Sequence, residues 1–364
     1  NMHISTSQPR HTSQLILLGA DSPIGLSVIR ELGQHGVLVH ALGWSKRSIG
    51  LYSRYTATRH YREKEEAALV RQLDALGRRF ECPWVMTVGE ADILLLQRHR
   101  EDFEYVVPII PKAEPFAILL DKGQTFEQAR AVGIRTPRSW CIDSPAQLDA
   151  VREELHFPLV LKWASPQRVV GRLISAGLEL EKYRYVYDFD ELRDYLASLD
   201  RVGEYPLLQE YCPGVGLGQM LFMHHGKAVL IFQHVRDAEW PPEGGASAVC
   251  RSLPPTQHAD LMARSEALLQ RIGWQGPAMV EYRLNPATGE TCLMEVNGRF
   301  WGSLPLAYHA GASFAWLTYL AGTGGEPVAP PPYRAGLRCR YFIPELKRLV
   351  RRLFSPGRIQ NRDL

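Results

Sequence analysis

The stretch that decides the fold is Thr291-Cys-Leu-Met-Glu-Val-Asn-Gly-Arg-Phe-Trp-Gly-Ser303, which is typical of a short apolar strand running into a glycine-punctuated loop. Side chains alternate between the two faces of a strand, so Glu295, Asn297 and Arg299 share one face while the intervening residues point into a core. Two oxygen donors beside a cation suit Mg²⁺ carrying phosphate oxygens. Ordinary salt bridges at a strand end would show the same pattern, so the rest of the chain has to decide.

A second acid precedes this stretch on a neighbouring strand. Residues 279–284 and 290–296 are predicted to pair as a hairpin, which brings Glu281 beside Glu295. Two close carboxylates repel each other unless a cation lies between them. The hairpin therefore favours a metal site formed by Glu281, Glu295 and Asn297.

Length and composition set the class of protein. A chain of 364 residues predicts two or three lobes, and 45% hydrophobic with 22% charged residues is typical of a soluble globular protein. The net charge of +3 argues against a dedicated nucleic-acid binder. The six cysteines form no CxxC pair, so they indicate neither a disulfide framework nor a zinc site. With no signal-peptide pattern and no apolar run of about 18 residues, the expected location is the cytoplasm.

The N-terminal part has the pattern of an open α/β sheet. Residues 15–18 and 37–42 are predicted strands, separated by a glycine-containing turn at 19–25 and a helix. The turn does not have the G-x-G-x-x-G spacing. It is either a tight turn between strand and helix or a loop whose backbone N–H groups hold a carboxylate or phosphate.

One lysine occupies a position that suits phosphate binding. Lys162 ends the apolar strand 157–163 and could direct a point charge at phosphates, whereas Lys122 opens a helix that runs to about residue 131. The polar, glycine-containing segment 164–177 is expected to be a loop covering the phosphates. The strand within 205–214 ends at a Pro-Gly turn, where backbone groups could meet an adenine edge. A solvated strand end and a plain hairpin turn are the structural alternatives.

Taken together, the motifs resemble the ATP-grasp superfamily, in particular carboxylate-amine ligases related to carbamoyl-phosphate synthetase and D-alanine-D-alanine ligase. The resemblance runs from about residue 15 to 322, and its specific motifs are as follows: Asp121-Lys122, Pro158-Leu-Val-Leu-Lys162, Leu208-Gln-Glu-Tyr211, Val280-Glu281 and Met294-Glu-Val-Asn-Gly-Arg299. It implies an α/β protein with an N-terminal pre-ATP-grasp domain at 13–115 and two α+β lobes enclosing the nucleotide, at 116–205 and 206–325. A basic tail at 326–364 follows.

The resemblance also implies the roles of individual residues. Lys122 and Lys162 would contact ATP phosphates, and Glu210, Tyr211 and Cys212 would form the adenine-binding hinge. The metal ligands Glu281, Glu295 and Asn297 would hold two Mg²⁺ ions, with Mn²⁺ as an alternative. The catalytic residues would be Arg299, Arg236 and Lys162, which stabilise the transferred phosphoryl group. Two departures are the lack of a Gly-Gly run after Lys162 and the lack of a ribose-binding acid in Val215-Gly-Leu-Gly218.

The implied activity is an ATP-dependent ligase that converts a substrate carboxylate to an acyl phosphate and joins it to an amine of an amino acid or peptide-like substrate. A small-molecule kinase and a non-catalytic nucleotide-binding module on the same scaffold are the alternatives. Segment 240–247, rich in proline and glycine, could hold an oxyanion or be an ordinary loop. In the tail, residues 342–354 have the pattern of a basic amphipathic helix, which would dock on the protein itself or contact anionic lipid or an acidic partner. The oligomeric state and substrate identity do not follow from the sequence.

Overall fold

The computed structural model describes residues 13–163, 166–181, 183–240 and 246–341, together with Leu346. The chain divides into two compact units. The first comprises Asn1–Ile134, Val215–Tyr282 and Glu295–Leu364, and the second comprises Arg135–Gly214 and Arg283–Met294. The division at residues 115, 205 and 325 stays a prediction, because it follows segments along the chain whereas each unit is assembled from several segments.

The first unit begins with a five-stranded parallel sheet in the order β3-β2-β1-β4-β5. Its elements are β1 (Gln14–Leu18), α1 (Pro23–Gln34), β2 (Leu38–Gly43), β3 (Thr56–Tyr61), α2 (Glu66–Phe80), β4 (Trp84–Thr87), α3 (Glu90–Arg98) and β5 (Val107–Ile109). The predicted strands at 15–18 and 37–42 and the helix between them are confirmed. The order reverses between β1 and β4, as in doubly wound α/β sheets.

The turn between β1 and α1 is closely packed. Gly19 has φ 103°, and a Cβ there would lie 2.3 Å from Val88 Cγ2. A Cβ on Gly25 would lie 2.0 Å from the Gly19 carbonyl oxygen, and Ser22 Oγ accepts the Gly25 N–H at 3.3 Å. The glycines are therefore explained by packing, as the tight-turn interpretation expects. Its alternative, an anion-binding loop, stays a prediction.

Two short helices follow, α4 (Ala113–Leu120) and α5 (Lys122–Ala131). Asp121 caps α5 by accepting the Gln124 N–H at 3.0 Å, which places Lys122 at the first helical position. The predicted helix from Lys122 to about residue 131 is confirmed. Pro115 lies within the first turn of α4, where proline is tolerated.

A six-stranded sheet completes the first unit, in the order β14-β13-β10-β11-β12-β15. Its strands are β10 (Val215–His224), β11 (Lys227–Trp240), β12 (Ala246–Ser252), β13 (Gly276–Leu284), β14 (Thr291–Asn297) and β15 (Arg338–Arg340), and its helices are α9 (Ala259–Ile272), α10 (Leu304–Ala310) and α11 (Phe314–Gly322). The predicted neighbouring strands at 279–284 and 290–296 are confirmed. β15 belongs to the segment predicted as a tail, and it pairs antiparallel with β12.

One apolar cluster joins the two sheets of the first unit. It contains Leu15 and Met86 from the parallel sheet, Phe222 and Phe232 from the antiparallel sheet, and Trp301 from the loop after β14. Burial of these large side chains is the main contribution holding the two sheets together. The loop after Asn297 is therefore fixed at its base by the core.

The second unit is built on a four-stranded antiparallel sheet in the order β6-β9-β7-β8. Its elements are β6 (Ser139–Trp140), α6 (Pro145–Ala150), β7 (Leu159–Lys162), α7 (Pro166–Ser175), β8 (Arg184–Val186), α8 (Phe189–Ser198) and β9 (Leu207–Glu210). The predicted strands ending near Lys162 and Glu210 are confirmed.

The expectation of a loop at 164–177 is wrong for most of that segment. Pro166–Ser175 forms α7, and Val169 and Leu173, four residues apart, are buried in the core of the second unit. This i, i+4 spacing places both on one helical face, and the burial outweighs the preference of Gly171 for irregular structure.

Three sequence predictions concern residues that the structure does not describe. Residues 164–165, 241–245 and most of the C-terminal helix predicted at 342–354 lie outside the described residues. Among the helices that the structure does describe, none is long and apolar enough to cross a membrane.

Candidate functional site

Glu295 and Asn297 end β14 in the first unit, as the opening motif predicts. Asn297 Nδ2 donates to Glu295 Oε1 at 3.2 Å, and Lys122 Nζ lies 3.8 Å from Glu295 Oε2. The side chains of Lys122 and Glu295 are about half exposed, at 49% and 43%. The structure therefore brings three predicted site residues together, and the charged groups of Lys122 and Glu295 are accessible to a ligand.

These three residues line a cavity of about 130 Å³ within the first unit. Its polar wall also includes Glu90, and its apolar wall comes from α4 and α5 through Phe116, Leu119, Leu120 and Phe126. A small cleft with an apolar wall and a few convergent polar groups is typical of a site that orients a ligand.

Arg299 lies beyond the end of β14. Its Nη1 donates to the Phe300 carbonyl at 2.9 Å, and its Nε lies 4.0 Å from Glu90 Oε2. Glu90 opens α3 directly after Gly89, at the carboxyl end of the parallel strand β4. The sequence interpretation did not assign Glu90 a role, although its place at the carboxyl edge of a parallel sheet is a known signal for site residues.

Arg236 lies between two acids. Its Nη2 lies 2.8 Å from Glu281 Oε2 and its Nη1 lies 3.2 Å from Glu239 Oε1. Burial acts to lower the pKa of the Arg236 guanidinium, but the two carboxylates outweigh it and raise the pKa above its ordinary value. Arg236 therefore stays charged, and in this structure it supplies the cation beside Glu281.

A strand irregularity makes this arrangement possible. Residues 236 and 239 are three apart and would point to opposite faces of a regular strand, but the pairing of β11 with β12 shifts register on both sides of Ala238. Across the sheet, a Cβ on Gly216 would lie 2.6 Å from Arg236 Cδ and 2.9 Å from Glu239 Oε1. Gly216 therefore leaves the space that the ion pair occupies.

His234 lies two residues before Arg236 and is fully buried. Burial, with a smaller contribution from the Arg236 charge, lowers its pKa to about 3, so the imidazole is neutral. Its Nδ1 lies 3.1 Å from Ser303 Oγ, in the loop that carries Arg299. A Cβ on Gly218 would lie 2.8 Å from His234 Nε2, so both glycines of Val215-Gly-Leu-Gly218 accommodate side chains of β11.

Lys162 ends β7 in the second unit. Its Nζ donates to Gln209 Oε1 at 3.0 Å, and Gln209 itself is buried on the neighbouring strand β9. A buried amide that orients the ammonium group was not foreseen, because the cross-strand partner depends on the register of β7 and β9.

Glu210 at the end of β9 is held on both oxygens. Arg135 Nη2 donates to Oε1 at 2.5 Å and the Arg138 backbone N–H donates to Oε2 at 3.0 Å. Tyr211 packs edge-on against Tyr185, with ring centroids 5.9 Å apart. The segment predicted as the hinge is thus fixed by an ion pair and an aromatic contact.

Cys212 and Cys292 are both buried in the second unit, with their Sγ atoms 2.8 Å apart. The contact with Cys292 and the Arg135 guanidinium lower the pKa of the Cys212 thiol, against the opposing effect of burial. The same contact and burial raise the pKa of Cys292. Eighty positions separate the two in sequence, so no spacing motif could have revealed the pair.

The predicted metal ligands all offer oxygen donors. Glu281 and Glu295 offer carboxylate oxygens, Asn297 offers an amide oxygen, and oxygen donors of this kind suit Mg²⁺. Glu281 engages Arg236 through one oxygen, and Glu295 has Lys122 nearby. The donor set fits the ion in kind, and its assignment stays a prediction.

The fold is similar to that of known proteins of solved structure. No model of a known protein family matches the chain. Similar solved structures include the biotin carboxylase domain of 2-oxoglutarate carboxylase from Hydrogenobacter thermophilus, in complex with MgADP, ADP and bicarbonate. That structure is 15% identical, with 89% of this chain and 73% of that chain covered and a TM-score of 0.64.

Two other similar structures are those of synthetases. N5-carboxyaminoimidazole synthetase from Staphylococcus aureus is 12% identical, with coverage of 86% and 78% and a TM-score of 0.62. Phosphoribosylglycinamide synthetase from Anaerococcus prevotii is 13% identical, with coverage of 90% and 79% and a TM-score of 0.62. All three are ATP-grasp proteins. The chain therefore has the ATP-grasp fold, and the fold implied by the sequence motifs is confirmed.

Proposed function

We propose that the protein is an ATP-dependent ligase that activates a substrate carboxylate as an acyl phosphate and joins it to an amine. The observation that carries the proposal is the grouping of Lys122, Glu295 and Asn297 around one cavity. A cation beside metal-type oxygen donors is what phosphoryl transfer requires, because that reaction depends on position and charge cancellation. The similar structures support it at the level of the fold, and one of them contains MgADP.

In the first unit, the cationic and the anionic residues have different proposed roles. Lys122 places an ammonium group at the cavity and binds phosphate oxygens as a point charge. Arg299 and Arg236 stabilise the negative charge that builds up on the transferred phosphoryl group. Glu281, Glu295 and Asn297 are the residues that would hold Mg²⁺, which when bound supplies charge neutralisation of the phosphates.

Residues of the second unit are proposed to bind the nucleotide. Lys162, oriented by Gln209, binds phosphate, and the backbone of Glu210, Tyr211 and Cys212 binds the adenine edge. The ion pair of Glu210 with Arg135 holds this backbone in place. In this role the Glu210 carboxylate positions the hinge and does not contact the base.

Measuring the release of ADP and inorganic phosphate tests the activity. The protein is incubated with ATP, Mg²⁺ and a panel of amino acids and small carboxylic acids, including bicarbonate because one similar structure contains it. A ligase releases phosphate only when both acid and amine are present, or when hydroxylamine traps the acyl phosphate. ADP formed with the phosphate retained on the product would indicate a kinase instead. Absence of nucleotide binding would refute both activities.

A variant of Glu295 tests the metal assignment. Glu295→Gln removes the charge but keeps the size of the side chain, so we expect a folded protein. ADP production should fall by at least about a hundredfold, which is the effect of losing one strong electrostatic contact to the transition state. Glu290→Gln is the matched control, because Glu290 is an exposed carboxylate in the turn before β14. ADP production by Glu295→Gln at the level of the control would contradict the assignment.

A further inference from the structure

We propose that the first unit also contains a transition-metal site, of the kind that takes Zn²⁺, formed by His224, His225 and Glu326. One potential ligand atom of each residue lies within 4.8 Å of the other two. His224 Nε2 is 3.6 Å from Glu326 Oε1. None of these residues belongs to the proposed ATP-dependent reaction, so the site is an additional property of the fold.

The turn between β10 and β11 brings the two histidines together. His224 ends β10, and His225 and Gly226 form a two-residue turn with φ 49° and 76°. Consecutive residues of a strand point to opposite faces, but the left-handed turn brings the adjacent imidazoles to a centroid separation of 4.0 Å. The His225 N–H donates to Gln275 Oε1 at 2.9 Å, which fixes the turn.

One ring nitrogen of His224 is buried without a hydrogen-bond partner among the described residues. Its Nε2 is buried and makes no hydrogen bond within the described part of the chain. Buried polar atoms nearly always have a partner. The Glu326 carboxylate, 3.6 Å away, is beyond hydrogen-bond distance but close enough to share a bound cation.

The ligand atoms need to move only slightly to reach the separations of tetrahedral coordination. Bonds of about 2.0–2.2 Å to zinc place two ligand atoms ~3.4 Å apart in a tetrahedron. The 3.6 Å between His224 and Glu326 is already near this value. The Glu326 side chain is 76% exposed, so it can rotate toward the histidines without disturbing the core.

The ligand types decide which metal is bound. Two neutral imidazoles and one carboxylate suit Zn²⁺ and neighbouring first-row metals, whereas the all-oxygen set at Glu295 and Asn297 suits Mg²⁺. Three protein ligands leave a coordination position for water. Because Glu326 follows α11 by four residues, a bound ion would tie the β10–β11 turn to the segment after α11 and stabilise the folded unit.

Calorimetric titration of the whole 364-residue chain, freed of metal with a chelator, tests the proposal with ZnCl₂ as the probe. We expect one equivalent to bind and the melting temperature to rise with zinc. Glu326→Gln and His225→Asn should each weaken zinc binding at least tenfold. Mutating a residue that only hydrogen-bonds to a metal ligand already lowers metal affinity about 10- to 100-fold. Asparagine at 225 tolerates positive φ, so that variant keeps the turn.

His156→Asn is the matched control, because His156 is an exposed histidine of the second unit. It should bind zinc as the wild type does. No stoichiometric uptake, or wild-type affinity in Glu326→Gln and His225→Asn, would overturn the proposal. Since the readout is metal binding alone, failure of the ligase proposal would leave this result unaffected.

Discussion

Glu31 provides a test of how the first unit is assembled. It lies on α1, is fully buried, and accepts the Trp316 N–H at 2.8 Å, in the first turn of α11. Ser313, which precedes α11, makes no side-chain cap, so Glu31 caps that helix from another element. Burial raises the pKa of Glu31 from 4.5 to about 8, against the opposing hydrogen bonds from Trp316 and Ala315.

The sign of the pH dependence follows from this shift. Between pH 4.5 and about 8 the folded protein keeps the Glu31 proton whereas the unfolded chain has lost it, so stability falls as pH rises through this window. One proton contributes about 1.4 kcal/mol per pH unit. From pH 5 to 8 the loss is therefore roughly 4 kcal/mol, a large fraction of the stability of a folded protein.

Glu31→Gln removes the titration, because glutamine has the shape of the protonated acid and never ionises. Urea unfolding of the variant and the wild type at half-unit steps from pH 5 to 8.5 gives the difference in free energy of unfolding. We expect this difference to move by roughly 4 kcal/mol in favour of the variant as pH rises to 8. Glu290→Gln, at an exposed site, should show no such trend.

A difference that stays constant over this range would refute the reasoning. It would mean that Glu31 is ionised in the folded protein, with the N-terminus of α11 stabilising the carboxylate more than burial destabilises it.

Three further predictions concern the site and its surroundings. Gly216→Ala places a Cβ 2.6 Å from Arg236 Cδ, so we expect about 1–3 kcal/mol of destabilisation by urea unfolding, and unchanged stability would show that the strand adjusts freely. Lys162→Met removes the charge-assisted contact to phosphate that we propose for Lys162, so calorimetry with a non-hydrolysable ATP analogue should give a Kd raised at least tenfold; equal affinity would argue against the phosphate role. Oxidised glutathione should link Cys212 and Cys292 in a disulfide, releasing two glutathione thiols, since their Sγ atoms lie 2.8 Å apart. Peptide mass mapping of the wild type and of Cys212→Ser checks this, and recovery of both thiols unmodified from the wild type would contradict it.

Much of the fold was predictable because its elements have regular spacing. The apolar strand at β1, the amphipathic helix α9 and the neighbouring strands β13 and β14 each show the period of their element and a turn residue at their ends. The strand β3 was missed. Its residues alternate between half-buried and exposed at the edge of the sheet, and its sequence TATRHY contains few apolar side chains to signal it.

The composition of the site was more predictable than its contacts. Glu295, Asn297 and Lys122 could be selected from motifs, and the structure groups them. Their partners depend on long-range register, which local patterns do not contain. Glu239 shows this well, because it reaches Arg236 only through the register shift beside Ala238.

The pairing of Glu281 changes the argument for a metal ion. From the sequence, two acids on adjacent strands require a cation between them, and this was the main physical reason to expect metal there. In the structure Arg236 supplies a cation to Glu281, and Lys122 supplies one to Glu295. Both acids are therefore tolerated without metal.

It follows that a bound ion has to compete with side-chain cations already present. Removing a charge partner from a buried carboxylate is unfavourable, so Mg²⁺ alone gains little at Glu281, which is only 16% exposed. A polyphosphate changes this balance because it offers the displaced guanidinium and ammonium groups new anionic partners. Under the proposed function, the arrangement would therefore favour joint binding of the ion and the nucleotide, and the arginine that pairs with Glu281 in their absence would become available to the phosphoryl group when both bind.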